Sequence, residues 1–208
     1  MSSDAQRTRV WDWFVRLFHW MVAVGFFIAY FTEDDLLALH VWAGYVVGVL
    51  VVMRILWGFV GPEYARFSDF VCSPMRAIRY LVALLGFRAK RYLGHSPAGG
   101  WMVLLLLCGL CITVWSGLEL YAVQENAGPL ANIESSLSAQ SAHADDGEGE
   151  HRVRRGSSGN RFWREGHELL ANVMMFLVIV HVAGVFLASF VHRENLARSM
   201  VTGWKRLE

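Results

Sequence analysis

Four histidines lie within or at the edges of long apolar segments of the chain: His19, His40, His167 and His181. His167 and His181 are 14 positions apart. On an α-helix this separation is about 21 Å along the axis and about 40° around it, so the two rings face one side at two depths. A buried polar group without a partner costs about 1–3 kcal/mol. Four imidazoles in apolar surroundings are therefore candidates for ligand chemistry.

The segments that must position these histidines are long enough to cross a membrane. The chain has 208 residues, of which 55% are hydrophobic, and a helix of about 20 apolar residues spans a hydrocarbon core of about 30 Å. We predict an all-α fold, a membrane four-helix bundle that forms a single domain over residues 1–208. Its spans are predicted at about 14–31, 36–60, 98–121 and 167–191. The shorter apolar segment 74–87 is interrupted by Arg76 and Arg79, which predicts an interfacial helix.

The positive charges of the short loops predict the orientation. Arg7, Arg9 and Arg16 precede or open the first span, whereas the loop after it, TEDDLL, has three acids and no base. Further Lys and Arg residues follow the second and fourth spans. Because such residues are retained in the cytoplasm, both termini are predicted to be cytoplasmic and the loop at about 122–164 periplasmic. This loop is polar and rich in Gly and Ser, which predicts flexibility and permits a docking arm for a periplasmic partner.

Depth divides the four histidines into two pairs. His19 lies near the cytoplasmic start of span one, at the level of His181, and His40 lies near the outer start of span two, at the level of His167. Structural zinc takes four ligands close together, whereas a haem needs only two axial imidazoles on opposite faces, and helix bundles accommodate such cofactors. The residues therefore predict two haem b groups, with the axial pairs His19/His181 and His40/His167.

Covalent haem attachment is excluded at the only CxxC motif. Cys108 and Cys111 form CGLC inside span three, but the next residue is Ile112 and not His. The haem groups are therefore predicted to be non-covalent. The acidic and His residues of the periplasmic loop, such as His143 and His151, have no spacing that fixes a metal geometry.

Several neighbours of the histidines fit haem binding, and each also has a structural alternative. Arg16 and Arg54 lie near cytoplasmic helix ends, where a guanidinium either pairs with a haem propionate or extends to lipid phosphate. Met174 lies midway between His167 and His181, where its side chain either separates the two haem groups or simply packs. Nearby glycines permit close approach of a macrocycle or of another helix: Gly25, Gly44, Gly48 and Gly184.

Five motifs together resemble the prokaryotic cytochrome b561 family, which includes b-type subunits of nickel-iron hydrogenases and related formate dehydrogenase gamma subunits. They cover nearly the whole chain except the periplasmic loop. The motifs are VWDWFVRLFHW from residue 10, LHVWAGYVVGVLVVMRILWGFVGP from residue 39, YLGHSPAGG from residue 92, HELLANVMMFLVIVHVAG from residue 167 and HRENLARSMVTG from residue 192.

The resemblance implies two haem b groups and electron transfer across the bacterial inner membrane, between a membrane quinone and a periplasmic redox protein. It matches the family's four axial-ligand positions to the histidines that were paired above by depth. Where relatives commonly have His-Asn-Pro, this chain has His95, Ser96 and Pro97, so His95 and Ser96 are candidate quinone contacts. The implied partners are membrane lipid, quinone and a periplasmic c-type cytochrome or hydrogenase or dehydrogenase subunit; a homodimer is compatible, and no nucleic acid is expected.

Three functions remain open from the sequence. An electron-transfer subunit fits the lack of a visible catalytic triad, phosphate-binding loop or soluble active-site domain, and its chemistry belongs to the cofactors. A free-standing quinone oxidoreductase that takes electrons from a small outer donor such as superoxide is the alternative, because the basic segment HRVRRGSSGNR can steer an anion as well as an acidic protein. A cation transporter with a histidine relay would carry no haem and therefore would not absorb visible light.

Overall fold

The computed structural model of the chain describes residues 7–33, 36–131 and 149–207, without the side chains of Arg7 and of residues 149–160. The described residues form seven helices and two short strands. The helices are α1 (Trp13–Phe31), α2 (Leu37–Val60), α3 (Phe67–Phe70), α4 (Pro74–Leu85), α5 (Pro97–Glu125), α6 (Gly149–Val191) and α7 (Leu196–Thr202), and the strands are β1 (Arg7–Arg9) and β2 (Trp204–Arg206).

The prediction of an all-α membrane protein with four spans is confirmed. Helices α1, α2 and α5 and the part of α6 from Arg161 onward are each long and apolar enough to cross a membrane. Large apolar side chains cover the outside of these helices, among them Trp42, Phe59 and Phe190. In water such exposure would be unfavourable, whereas lipid solvates these side chains.

Helix α6 is longer than the sequence predicts. It begins at Gly149, so residues 149–164, which fall within the predicted loop, are helical. The last proline of the chain is Pro129, and without proline the backbone hydrogen bonds of a helix are not interrupted. The predicted flexibility and partner docking of the loop fall largely on residues 132–148, which lie outside the described residues, as does His143.

The chain divides into two compact units, Met1–Cys108 with Phe176–Glu208, and Gly109–Met175. In the first unit, α1 begins at Asp12, whose carboxylate accepts a hydrogen bond from the backbone N–H of Val15 at 2.9 Å and so caps the helix. Helices α1 and α2 approach closely at Gly25, where an added Cβ would lie 2.9 Å from Cγ2 of Val47. The smallest residue is therefore needed at this crossing.

Helix α4 is amphipathic. Its buried residues Ala77, Tyr80 and Leu84 recur at helical spacing, while Met75 and Leu85 are exposed together with Arg76 and Arg79. At 12 residues it is too short to span a bilayer. This agrees with the helix predicted in segment 74–87.

The two ends of the chain meet in a small antiparallel sheet. Strand β1 pairs with β2 in the register Arg7 with Arg206, Thr8 with Lys205 and Arg9 with Trp204. Backbone hydrogen bonds cannot reach across a hydrocarbon core of about 30 Å. Both ends therefore lie on one side of the membrane, called the terminal side below, as an even number of spans requires.

A substitution at Gly58 tests the packing of α2 on α3. A Cβ at this position would collide with the Phe67 ring, which is held between Phe59 and Phe70 at centroid distances of 5.5 and 5.8 Å. Gly58→Ala should destabilise the protein by about 1–3 kcal/mol because the ring cannot move aside freely. The measurement is the apparent melting temperature in detergent. Gly166→Ala is the matched control, since nothing lies within 4 Å of its added Cβ; equal melting temperatures for the two variants would contradict this packing.

Candidate functional site

His19 and His181 come together in the first unit. Their ring centroids are 6.4 Å apart, and their ring planes are inclined by 55°. The Nδ1 atom of His19 is buried and has no hydrogen-bond partner among the described residues. Each ring nitrogen lies about 1 Å from its ring centroid, so the nearest nitrogens of the two rings are about 4 Å or more apart, which is too far for a direct hydrogen bond.

His40 is held in one tautomer by the backbone of α1. Its Nδ1 lies 2.8 Å from the carbonyl oxygen of Ala29. A carbonyl oxygen only accepts hydrogen bonds, so Nδ1 must carry the proton and Nε2 must carry the lone pair. A metal-binding histidine is oriented in this same way, by donating its second ring nitrogen to a carbonyl or carboxylate.

His167 is held in the same tautomer by a side chain in the second unit. The Ser116 hydroxyl, buried on α5, donates its single proton to the Thr113 carbonyl at 2.8 Å. Its oxygen lies 2.9 Å from Nδ1 of His167 and must therefore accept the Nδ1 proton. Nε2 of His167 again carries the lone pair, as metal coordination requires.

Two glycines bring α5 close to α6 within the second unit. An added Cβ at Gly117 would lie 2.9 Å from Cε1 of His167, and one at Gly109 would collide with Sδ of Met174. Met174 is only 2% exposed. Helix packing against Gly109 thus accounts for Met174, which was one of the two interpretations of this residue.

Arg16 and Arg54, the candidate partners of haem propionates, each have a hydrogen-bond acceptor for only some of their N–H groups. Arg16 donates to the carbonyl oxygen of Val201, and Arg54, which is 3% exposed, donates from Nη2 to the carbonyl oxygen of Ala65 at 3.1 Å. Nε of Arg16 and Nη1 of Arg54 are buried without a partner among the described residues. Each guanidinium therefore retains an N–H that an anion can accept.

His95 lies between two aromatic rings. Its centroid is 4.7 Å from that of Trp11 and 4.5 Å from that of Phe70, and its Nδ1 is buried without a partner among the described residues. Burial, together with the positive charges of Arg54 and Lys205, lowers the pKa of His95 to about 3, although a backbone hydrogen bond with Tyr64 opposes this shift. The ring is therefore neutral near pH 7, with one donor and one acceptor nitrogen.

Ser96 caps helix α5. Its hydroxyl oxygen accepts a hydrogen bond from the backbone N–H of Gly99 at 3.1 Å, as an N-cap serine does. An added Cβ at Gly100 would lie 2.7 Å from the carbonyl oxygen of Phe70. The space beside Gly100 is thus occupied by Phe70.

Sequence reasoning located the histidines but not the groups that orient them. Ser116 was missed, although Ser116 and Gly117 form a small pair in an otherwise bulky span, which is a signal of close helix approach. The Ala29 carbonyl could not be found, because every residue has a backbone carbonyl and only the fold selects one. Within the described parts of the chain, no group of three or more His, Cys, Asp and Glu side chains is placed to hold a metal ion.

A comparison with protein families decides the assignment. The family model for prokaryotic cytochrome b561 matches residues 10–203. The chain belongs to this family. Neither the curated proteins nor the solved structures gave a match to the chain.

Membership of the cytochrome b561 family makes this chain a bacterial, multi-pass membrane cytochrome of electron transfer and implies a b-type haem. The first unit fits such a group. Two metal–nitrogen bonds of about 2 Å, extended by the radius of each imidazole ring, separate the ring centroids by about 6 Å, and those of His19 and His181 are 6.4 Å apart.

The neutral state of His95 predicts a loss of stability in acid. Because the pKa of His95 in the folded protein is about 3 and that of an unfolded histidine is about 6.5, only the unfolded chain takes up this proton between those values. Stability should therefore fall as the pH falls below about 6.5, by at most about 1.4 kcal/mol per pH unit from this residue. Melting temperatures from pH 7.5 to 4.5 should decline less steeply in His95→Gln than in the wild type, and parallel curves would contradict the buried neutral ring.

Proposed function

We propose that this cytochrome b561 family member binds two non-covalent haem b groups and transfers electrons across the membrane between a periplasmic redox protein and the quinone pool. The placement of His19 beside His181 carries the proposal. It joins two residues that are far apart in the sequence and come from different spans, at the spacing that axial ligation of one iron requires. Haem supplies reversible one-electron transfer at its iron when bound.

The second haem is proposed to bind between His40 and His167. The two residues belong to different compact units, and the support comes from each side chain separately. Both donate Nδ1–H, to the Ala29 carbonyl and to the Ser116 hydroxyl, at 2.8 and 2.9 Å. In both rings the lone pair therefore lies on Nε2, and a ligand pair selected for one metal should share this property.

The propionates of the haem on the terminal side are proposed to pair with Arg16 and Arg54. Arg16 precedes His19 by one turn of α1, so its guanidinium lies toward the terminal side from that ring. Each arginine keeps a buried N–H without a partner among the described residues. A carboxylate would satisfy these donors and offset the cost of burying the two charges.

Quinone is proposed to bind near His95 and Ser96, at the end of α5 on the terminal side. A quinone site needs an apolar slot and donors for the carbonyl oxygens, and here Trp11 and Phe70 supply aromatic surface while His95 supplies a neutral imidazole. The terminal side is proposed to be the cytoplasm, on the basis of the Lys and Arg content of its short loops.

Loss of single histidines tests the pairing. Removing either member of a pair should remove one haem, so His19→Ala and His181→Ala should lose the haem of the terminal side, and His40→Ala and His167→Ala should lose the other. Pyridine haemochrome analysis should give about two haem b per chain for the wild type and about one for each variant.

The identity of the lost haem is read from redox titration, in which each haem has its own midpoint. Matching residual midpoints for His19→Ala and His181→Ala are expected, with a different residual midpoint for the other two variants. If His19→Ala and His167→Ala retained the same haem, the pairing would be wrong. His95→Gln serves as the control and should retain both haem groups.

The orientation is tested by labelling single cysteines on intact cells. After replacement of Cys72, Cys108 and Cys111, a cysteine at Glu125, exposed at the end of α5, should react with a membrane-impermeant maleimide. A cysteine at Arg88, exposed after α4, should react only after the cells are permeabilised, because basic loops stay in the cytoplasm. The reverse labelling pattern would invert the proposed orientation.

A further inference from the structure

The segment that follows the last span forms a pocket on the terminal side with a strongly positive lining. The pocket has a volume of about 390 Å³ and is lined by residues from the turn after α6, from helix α7 and from strand β2. All of them belong to the first compact unit. Four of the nine lining residues are basic: Arg193, Arg198, Lys205 and Arg206. Such a lining attracts an anion.

The arginines of the pocket have no anionic partner among the described residues. The side chains of Arg193, Arg198 and Arg206 are exposed, and the ion pairs within the described part of the chain involve other arginines. Glu194, the one acid among the lining residues, is already bound by Arg91, whose Nη2 and Nε lie 3.1 and 3.3 Å from its carboxylate oxygens. The positive charge of the pocket is therefore not balanced by the lining itself.

Lys205 brings a buried ammonium group to the same pocket. The residue is 5% exposed, and its Nζ donates to the carbonyl oxygen of Tyr92 at the long distance of 3.5 Å. Burial lowers the pKa of Lys205, an effect that Glu194 opposes and that Arg91 adds to. An ammonium group has three donors. An anion in the pocket would accept from those that remain and offset the cost of burying this charge.

The backbone of Arg193 has a conformation that favours glycine. Its φ is 49°, two residues after the end of α6, where a left-handed residue commonly ends a helix. At the corresponding place after α7 the chain has Gly203, with a φ of 86°. A residue with a Cβ is strained in this conformation, whereas glycine is not. An arginine at this position therefore indicates a use for its side chain.

The pocket borders the lipid-facing surface of the last span. Phe186 and Phe190, near the end of α6, are 70% and 74% exposed, and Val201 on α7 is 53% exposed. Acyl chains cover such side chains in a membrane. Trp204, which lines the pocket and is 49% exposed, is a residue type enriched at the level of lipid headgroups. An anion in this pocket would thus lie beside acyl chains.

We propose that this pocket binds the phosphate of an anionic phospholipid, whose acyl chains lie along the end of α6. Guanidinium groups bind phosphate oxygens through paired N–H donors, so Arg193 and Arg198 supply the main contacts and Lys205 adds a point charge. The hydroxyl groups of Ser199 and Thr202 donate to backbone carbonyls, which leaves the charged side chains as the donors. The bound lipid joins the end of α6 to α7 and β2, and it requires neither haem nor quinone.

The competing explanation is that the arginines attract anionic lipid only as diffuse surface charge. Two double variants with the same change in charge separate these explanations. Arg193→Gln with Arg198→Gln removes two charges from the pocket, whereas Arg76→Gln with Arg79→Gln removes two exposed charges from α4. Diffuse attraction would weaken equally in both proteins, whereas a defined pocket is damaged only in the first.

The experiment is native mass spectrometry of the purified full chain in detergent, titrated with phosphatidylglycerol or with phosphatidylcholine of the same acyl chains. The wild type should bind one phosphatidylglycerol about tenfold more tightly than phosphatidylcholine. The pocket variant should bind phosphatidylglycerol about tenfold more weakly than the wild type, and the α4 variant should bind it as the wild type does. Phosphatidylglycerol should also raise the melting temperature of the wild type but not that of the pocket variant.

Inorganic phosphate at the same concentration should not displace the lipid, because it lacks acyl chains. Displacement would identify a site for free phosphate and overturn the lipid site. Equal weakening in the two double variants, or equal binding of the two lipids by the wild type, would overturn it as well. Should the pocket variant fail to fold, Arg193→Gly decides the question, because it relieves the left-handed backbone. This variant should melt no lower than the wild type without lipid and yet bind phosphatidylglycerol severalfold more weakly; unchanged binding would contradict the proposal.

Discussion

A histidine buried in an apolar helix must satisfy two ring nitrogens with opposite requirements, one as a donor and one as an acceptor. Water does this at a protein surface, but a membrane span has none, so the protein must supply both partners. In the described residues, His40 donates a hydrogen bond from Nδ1–H to the Ala29 carbonyl, and His167 donates one from Nδ1–H to the Ser116 hydroxyl. In both cases the nitrogen left with the lone pair is Nε2, the one that an iron would take.

This constraint also governs how closely the helices approach. For His167 to reach Ser116, its ring must lie against α5, and Gly117 makes room for it. On α1 the Ala29 carbonyl is available to His40 because α1 and α2 cross closely at Gly25. The glycines therefore serve the orientation of the imidazoles as well as helix packing, and a larger residue would cost both.

Much of the fold was predictable from the sequence because a hydrocarbon core imposes a single length and a single polarity on a span. The proximity of His19 and His181 was predictable for the same reason, since depth follows from position along a span. The hydrogen-bond partners of His40 and His167 were not predictable from the sequence. The Ala29 carbonyl and the Ser116 hydroxyl reach these rings only because of how the helices rotate and cross. The pairing of β1 with β2 likewise joins distant segments of the chain, and no local sequence pattern indicates it.

Electron paramagnetic resonance of the fully oxidised, purified protein tests most directly whether each proposed haem b is held by two imidazoles. Two strong-field nitrogen ligands make ferric haem low-spin and leave no coordination position open. We expect two low-spin ferric signals of about equal intensity with bis-imidazole character, and no binding of carbon monoxide to the reduced protein. A high-spin signal that accounts for half or more of the iron, together with carbon monoxide binding, would contradict the assignment of His19, His40, His167 and His181 as axial ligands.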